Sequence, residues 1–345
     1  MDDKRYGDNL NVGGNADTGD IDFVVTWVDC NDPEWKKVYS EFTGRKNVEG
    51  ANRFRDWGVF KYWFRAVEKY APWVHRVYLV TCGQKPDFLN IDHPKLRFVT
   101  HQEFIDEKYL PTFNSNVIEL NLKNIPDLSE RFVLFNDDLF LNSPVRKEDF
   151  FVNGLPCDCA VLDMVIPLGQ NDPFYHTILN DVDIINKYYN KKEVIRMNKG
   201  AWYKLQYKEG LIRNLCLTPW KYFSGFKDYH VVSCFLKSSF EAINRMEPEA
   251  YERTCNNHFR GWSDITQHLI RYYQLCEGKF YPMKRAGKFF EIGSQTEEIL
   301  KAVKESRLKY ICLNDDKEDI DFEAEKNSII NAFEEKFPSK SSFEL

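Results

Sequence analysis

The sequence has no run of the ~20 consecutive apolar residues that a bilayer-crossing helix needs, and its opening stretch, MDDKRYGDNLNVGGNADTGD, has no apolar signal core. No lipidation signature is present, and the C-terminus reads Ser-Phe-Glu-Leu. Residues 1–20 are read as a flexible tail, and the protein as cytoplasmic, at most peripheral to a membrane. P-loop, GxGxxG, GxSxG and HExxH patterns are missing, which removes the simplest nucleotide-hydrolase, dinucleotide, serine-hydrolase and zinc-protease readings. No helical-repeat period occurs. Basic charge is also short: 47 Lys and Arg stand against 53 Asp and Glu, for a net charge of −6. That field repels a nucleic-acid backbone, and no nucleic-acid partner is expected. The nine cysteines are odd in number and irregularly spaced, so they read as reduced thiols packed in apolar runs. Cys157 and Cys159 are the one close pair, and no second pair at zinc spacing accompanies them.

What is present is a core. Apolar residues make up 43% and aromatics 15% of 345 residues, enough for one large α/β domain with an insertion. IDFVVTWV (21–28), HRVYLVTCG (75–83), LRFVTHQEF (96–104) and RFVLFNDD (131–138) read as strands. RFRDWGVFKYWFRAVEKYAP (53–72) carries an aromatic stripe at helical spacing until Pro72 stops it, and SNVIELNLKNI (115–125) is a second helix. Strands separated by helices predict an α/β fold, a mostly parallel sheet with helices on both faces. The irregular segment at about 142–222 is read as an inserted cap. Helices are expected at 230–246 and at 263–278, the latter capped by Ser263 and stopped by Gly278. KYICLNDD (309–316) is expected as a late strand of the same sheet. The catalytic domain then spans 21–325, and 326–345 is a C-terminal helix or tail.

In a parallel sheet the ligand crevice lies outside the carboxyl ends of the strands. Asp29, Thr81 to Gly83, Thr100, His101 and Asn136-Asp137-Asp138 all fall at such ends. Paired carboxylates there suit Mg²⁺ or Mn²⁺, which takes one or two protein oxygens and leaves the remaining positions to water and substrate phosphate. A turn ended by Asx hydrogen bonds is the plainer reading of Asn-Asp-Asp. The motif occurs twice, at 136–138 and 314–316, which together with Asp29 favours the cation site, and the two turns are expected to finish neighbouring or near-neighbouring strands of one sheet and form one site. His230, placed at a helix start, would have its pKa lowered by the macrodipole, as suits a general base. Arg260, just before a helix, could reach a phosphate bidentately.

IDFVVTWVDCNDPEW, RFRDWGVFKYWFRAVEKYAPWVHRVYLVTCG, FNSNVIELNLKNIPDLSERFVLFNDDLFL, DYHVVSCFLKSSFEAI and LKYICLNDD resemble, in order and spacing, the signature blocks of the Stealth family of hexose-1-phosphate transferases. The family includes bacterial capsular-polysaccharide phosphotransferases and the animal N-acetylglucosamine-1-phosphotransferase. The resemblance spans roughly residues 21–316 and implies a Rossmann-like core, a UDP-sugar donor and a glycan or lipid-linked oligosaccharide acceptor. It implies transfer of sugar-1-phosphate with release of UMP, in capsular or surface polysaccharide biosynthesis. By matching position, Asp137, Asp138, His230 and Arg260 take the catalytic roles. Thr26, Trp27, Asp29, Arg55 and Asn136 are assigned to substrate binding, and Asp137, Asp138 and Asp316 to the metal. Trp-Val-Asp-Cys and Asp-Tyr-His are local variants that leave the sugar and the acceptor open. A metal-dependent glycosyltransferase releasing UDP and a non-catalytic carbohydrate-binding protein are the competing readings.

Overall fold

Residues Ile21–Thr26 form a strand buried along almost its whole length, as a central parallel strand covered on both faces must be. The computed structural model describes residues 19–44, 55–167, 173–315, 317 and 319–345. The expected flexible tail falls almost entirely outside them. Among the described residues the strands are β1 (Ile21–Thr26), β2 (Val77–Thr81), β3 (Leu96–Thr100), β4 (Arg131–Asn136), β5 (Leu139–Leu141), β6 (Phe151–Val152), β7 (Leu155–Asp158), β8 (Ser233–Leu236), β9 (Tyr281–Pro282), β10 (Gly287–Glu291) and β11 (Tyr310–Asn314).

The central sheet has the order β3-β2-β1-β4-β8. Its first four strands are parallel, and β8 runs antiparallel to β4. Strand alternation divides the core into two layers. Phe23 and Val25 pack with Trp63 and Phe64 of helix Phe60–Tyr70 on one face, while Val24 packs with Val117 and Leu120 of helix Ser115–Asn121 on the other. The α/β class with helices on both faces is therefore as the sequence predicts. The order reverses at β1, which has β2 and β3 on one side and β4 on the other, so the crevice of such a sheet opens at the ends of β1 and β4. Thr26 pairs there in register with Val80 and Asn136.

The expectation that 309–316 joins this sheet is corrected. β4 already has both edges taken, by β1 and β8. β11 pairs instead with β10 and, antiparallel, with β5, the three-residue strand that follows β4 after Asp137 and Asp138. A second correction concerns 230–246, expected as one helix. Val231, Val232, Cys234 and Phe235 are all buried, and the two valines lead into β8 before helix Lys237–Met246 begins. Helix 263–278 begins late, at Gln267, because Thr266 rather than Ser263 caps it by accepting the His268 N–H. Gly278, at φ +69°, follows its end. The aromatic helix also begins late, at Phe60, after Gly58 in the left-handed region at φ +66°.

Within 142–222 lie the short strands β6 and β7 and the helices Phe174–Tyr188, Lys191–Met197, Lys199–Trp202 and Glu209–Leu217. Helix Phe322–Lys336 covers the aromatic helix, Phe333 stacking on Tyr62 at 5.5 Å. Seven of the nine cysteines are buried and all are free. A buried ion cluster ties the small sheet to helix Gln267–Cys276. Asp158, ending β7, accepts from Arg271 Nε at 2.7 Å and Nη2 at 3.1 Å, with Arg285 Nη2 at 3.2 Å. Burial raises the Asp158 pKa, but the two guanidiniums outweigh it and leave the carboxyl lowered. Its contribution to stability is therefore intact at neutral pH and is lost only in acid, as the pH falls below the ordinary aspartate value of about 3.9. Asp158→Ala, which strands two buried cations, is expected to cost about 3–5 kcal/mol in urea denaturation. A loss under 1 kcal/mol, roughly a surface pair's worth, would show the cluster to be solvated.

Candidate active site

The turn between β4 and β5 is set by chain direction: β4 ends at Asn136, and β5 begins at Leu139. Asp137 opens to solvent and Asp138 is half-buried. The Leu313 N–H donates to the Asp138 carbonyl at 2.9 Å, and Cys312 Sγ lies 3.2 Å from Asp138 Oδ2. The two Asn-Asp-Asp turns thus meet, although their strands belong to different sheets. Asp138 Oδ1 is buried and has no hydrogen-bond partner among the described residues. Burial raises the Asp138 pKa, with His230 and the Cys312 thiol working against the rise. Cys312 is itself pushed well up by burial and then by Asp138, so it stays a neutral thiol and donates.

His230 reaches this turn from a loop. Its ring, the Cys312 sulfur and an Asp138 oxygen offer donor atoms all within 4.8 Å of one another. Contrary to expectation, no helix begins at His230. It sits at φ +44°, a left-handed conformation held by its own N–H donating to Asp228 Oδ1 at 2.9 Å. The dipole argument for a lowered His230 pKa therefore has no basis. Carboxylate orientation replaces it: Asp228 Oδ2 lies 3.8 Å from His230 Nδ1 and 4.0 Å from His268 Nε2. Against the desolvation that would raise it, His268 and His230 hold the Asp228 carboxyl well below the usual carboxylate range. Burial lowers the His268 pKa more than Asp228 lifts it, so at neutral pH His268 offers Asp228 an N–H dipole.

Arg260 approaches from the loop after helix Pro248–Cys255, its Nη2 donating to Ser115 Oγ at 2.9 Å. A buried amide hub fixes that loop. Asn114 Nδ2 donates to Asp264 Oδ2 at 2.8 Å, Asn116 Nδ2 to the same oxygen at 3.2 Å, and Asn257 Nδ2 to Asp264 Oδ1 at 2.6 Å. On helix Ser115–Asn121, Glu119 is 7% exposed. Burial drives its carboxyl up to about 7, while Arg260 and His230 pull it down. Glu119 thus links the arginine and the histidine electrostatically.

The remaining assigned residues are placed less centrally. Thr26 and Asn136 face each other across the ends of β1 and β4. Trp27 stacks on Phe60 at 5.7 Å, and Asp29 Oδ1 accepts from the Asn31 N–H at 2.8 Å in its own turn. Arg55 Nη1 lies 3.7 Å from Asp315 Oδ1, and Trp57 Nε1 donates to Asp315 Oδ2 at 3.0 Å. Asp315 therefore clasps the 55–57 segment, and Asp316, the assigned third metal ligand, lies outside the described residues. Four contributors were not singled out from the sequence: Glu119, Asp228, His268 and Cys312. The legible signals were an ionisable residue inside the apolar stripe Val117 to Leu120, and an aspartate two residues before the histidine.

Stealth protein CR2, conserved region 2, matches residues 53–157. The capsular polysaccharide phosphotransferase WcwK of Streptococcus pneumoniae is 44% identical over 329 residues, which cover 94% of this chain and 98% of that protein. The exopolysaccharide phosphotransferase cps2G of Lactiplantibacillus plantarum is 43% identical over 328 residues, covering 94% and 96%. The receptor polysaccharide phosphotransferase WefC of Streptococcus oralis is 36% identical over 332 residues, covering 94% and 99%. Among solved structures, the galactosyltransferase LgtC with donor and acceptor sugar analogs aligns over 90% of this chain and 95% of its own at 12% identity and a TM-score of 0.36, a likeness too distant to bear on the site. With the signature blocks in order and near-complete coverage by such relatives, the chain belongs to the Stealth family of polysaccharide phosphotransferases.

Proposed function

We propose that this transferase moves sugar-1-phosphate from a UDP-sugar to a hydroxyl of a glycan or lipid-linked oligosaccharide acceptor, in capsular or surface polysaccharide biosynthesis in the cytoplasm. The acceptor oxygen bonds to the β-phosphorus, the bond from that phosphorus to the bridging oxygen breaks, and UMP leaves with the bridging oxygen. The observation that carries this reading is His230, set beside Asp138 and backed by Asp228 at the crevice edge.

His230 takes the acceptor hydroxyl's proton, and Asp228 stabilises the imidazolium that results, as a carboxylate does behind a catalytic histidine. Arg260 offers its guanidinium to the donor phosphate. Ser115 holds it by a hydrogen bond, and the amide hub around Asp264 limits its movement. Asp138 and Asp137 are the residues that would hold a divalent cation. The fit rests on the Asp138 oxygen that is buried without a partner among the described residues. Held there, such an ion would supply positive charge against the charge developing on the leaving phosphate. Two carboxylates on one turn suit Mg²⁺ or Mn²⁺.

Chromatography of the nucleotide released from a UDP-sugar with acceptor present tests the reading. UMP is expected in step with acceptor modification. UDP would make the protein a glycosyltransferase, and an intact donor under all acceptor and metal conditions would leave a carbohydrate-binding protein.

A further inference from the structure

Helix Glu209–Leu217 wears its polarity inside out. Its inner face buries Asn214, whose Nδ2 donates to the Ala160 and Trp202 carbonyls, both at 2.7 Å, and whose Oδ1 accepts from the Leu162 N–H at 2.6 Å. Those three bonds stop the helix from rolling. One turn apart on the outer face, Ile212 and Leu215 stand 64% and 58% exposed. The chain then turns through Pro219, leaving Trp220 and Tyr222 59% and 57% exposed, and this turn is pinned from beneath by Lys191. That buried ammonium donates to the Leu217 carbonyl at 2.5 Å and the Tyr222 carbonyl at 3.2 Å. Beyond the turn, a short ladder from the Asp163 and Val165 N–H groups to Gly225 and Ser224 (3.0 and 3.1 Å) brings up Met164 and Ile166, also exposed.

Charge follows the same segment. Residues 192–222 hold seven Lys or Arg and two Glu, in a chain of net charge −6. Lys208, Arg213 and Lys221 flank the apolar tips directly, and Leu205, 86% exposed, lies three residues before Lys208.

Rigidly presented aliphatic and aromatic tips ringed by cations match a surface with anionic headgroups above an apolar interior. We infer that this face docks the protein on an anionic lipid bilayer. An acidic protein or a nucleic acid would match the cations but leave Ile212, Leu215 and Trp220 in water. A second copy of the same face would set like charges against each other. The dock also connects to the chemistry: Arg213 of the helix and Lys227 both pair with Asp163, and Lys227 directly precedes Asp228. In the proposed reaction the docked face would keep the catalytic loop near a lipid-linked acceptor. The binding itself does not depend on that reading.

The test is sedimentation of the full chain with vesicles of phosphatidylcholine alone and with about a third phosphatidylglycerol, at low and high salt. Binding is expected to the anionic vesicles only and to fall steeply with salt. Lys208→Glu with Lys221→Glu lowers partitioning roughly a hundredfold, at about 1 kcal/mol for each cation near the surface and more for its reversal. Ile212→Ser with Leu215→Ser and Trp220→Ser lowers it at least about tenfold through lost apolar insertion. All five side chains are exposed, so circular dichroism and UMP release with a water-soluble acceptor stay unchanged in both variants. Failure to bind anionic vesicles overturns the inference. So does full binding by the Ser variant, which leaves only a polyanion site, or a dimer that the Ser variant converts to monomer, which makes the face a self-association surface. UMP release is read separately, so its absence refutes the proposed reaction and not the dock.

Discussion

Replacing His230 with alanine lowers turnover by on the order of 10²–10⁴ while leaving donor affinity largely intact. The size of the effect follows from what the residue offers. A hydroxyl attacks phosphorus poorly until its proton has somewhere to go, and His230 is the group set among Asp138, Cys312 and Asp228 that can take it. Asp228 binds the His230 backbone N–H as well as facing its ring, so removing the ring leaves the loop's 2.9 Å tether in place. The fold should therefore survive, and the alanine variant should melt with the parent. Steady-state kcat and KM, with a direct donor titration, separate the roles. A raised KM at unchanged kcat would make His230 a donor-binding residue and return the proton to another base.

The part of this site that could be read from the sequence is the part written in contiguous residues. A short apolar run ending in Asn-Asp-Asp states both the strand and the carboxylates at its end, and β4 delivers them to the edge where Thr26 ends β1. Periodicity likewise gave helix Phe60–Tyr70, because seven aromatic or apolar residues have to be buried together. Periodicity could not give β8. HVVSCFLKSSF carries apolar residues at spacings that suit a helix as well as a strand, and the free edge of β4 decided the matter. The same ambiguity misplaced His230, which depends on a φ of +44° that no pattern of side chains announces. Glu119 was hidden for another reason. Its role rests on the charge of Arg260, more than a hundred residues away, and the Asn114–Asp264 hub is what folds that loop onto its helix. Asp315 shows the converse. As a carboxylate of the second Asn-Asp-Asp turn it was expected to help complete the site edge, and the structure pairs it with Trp57 and Arg55.

Asp138→Asn is the second large effect, a fall in turnover of at least ~10³-fold, because the change removes charge without removing shape. Burial already makes an ionised carboxylate costly at this turn, and among the described residues its Oδ1 has no donor to offset that cost. The acid is therefore arranged for a partner that brings positive charge, as a hard divalent cation does. An asparagine keeps one oxygen for the Cys312 thiol, 3.2 Å away, but points an amide N–H₂ where the other oxygen was, and a donor repels a cation. Two readouts check this independently. Excess EDTA should reduce the parent enzyme to the variant's level, with Mn²⁺ or Mg²⁺ restoring the parent and not the variant. Without substrate, Mn²⁺ at about a hundred times its Kd should stabilise the parent by about 2.7 kcal/mol through mass action and leave the variant unshifted. A parent enzyme fully active in EDTA, or a variant that turns over normally, would assign the diphosphate charge to Arg260 alone and leave Asp138 as the residue that holds β5 and β11 together.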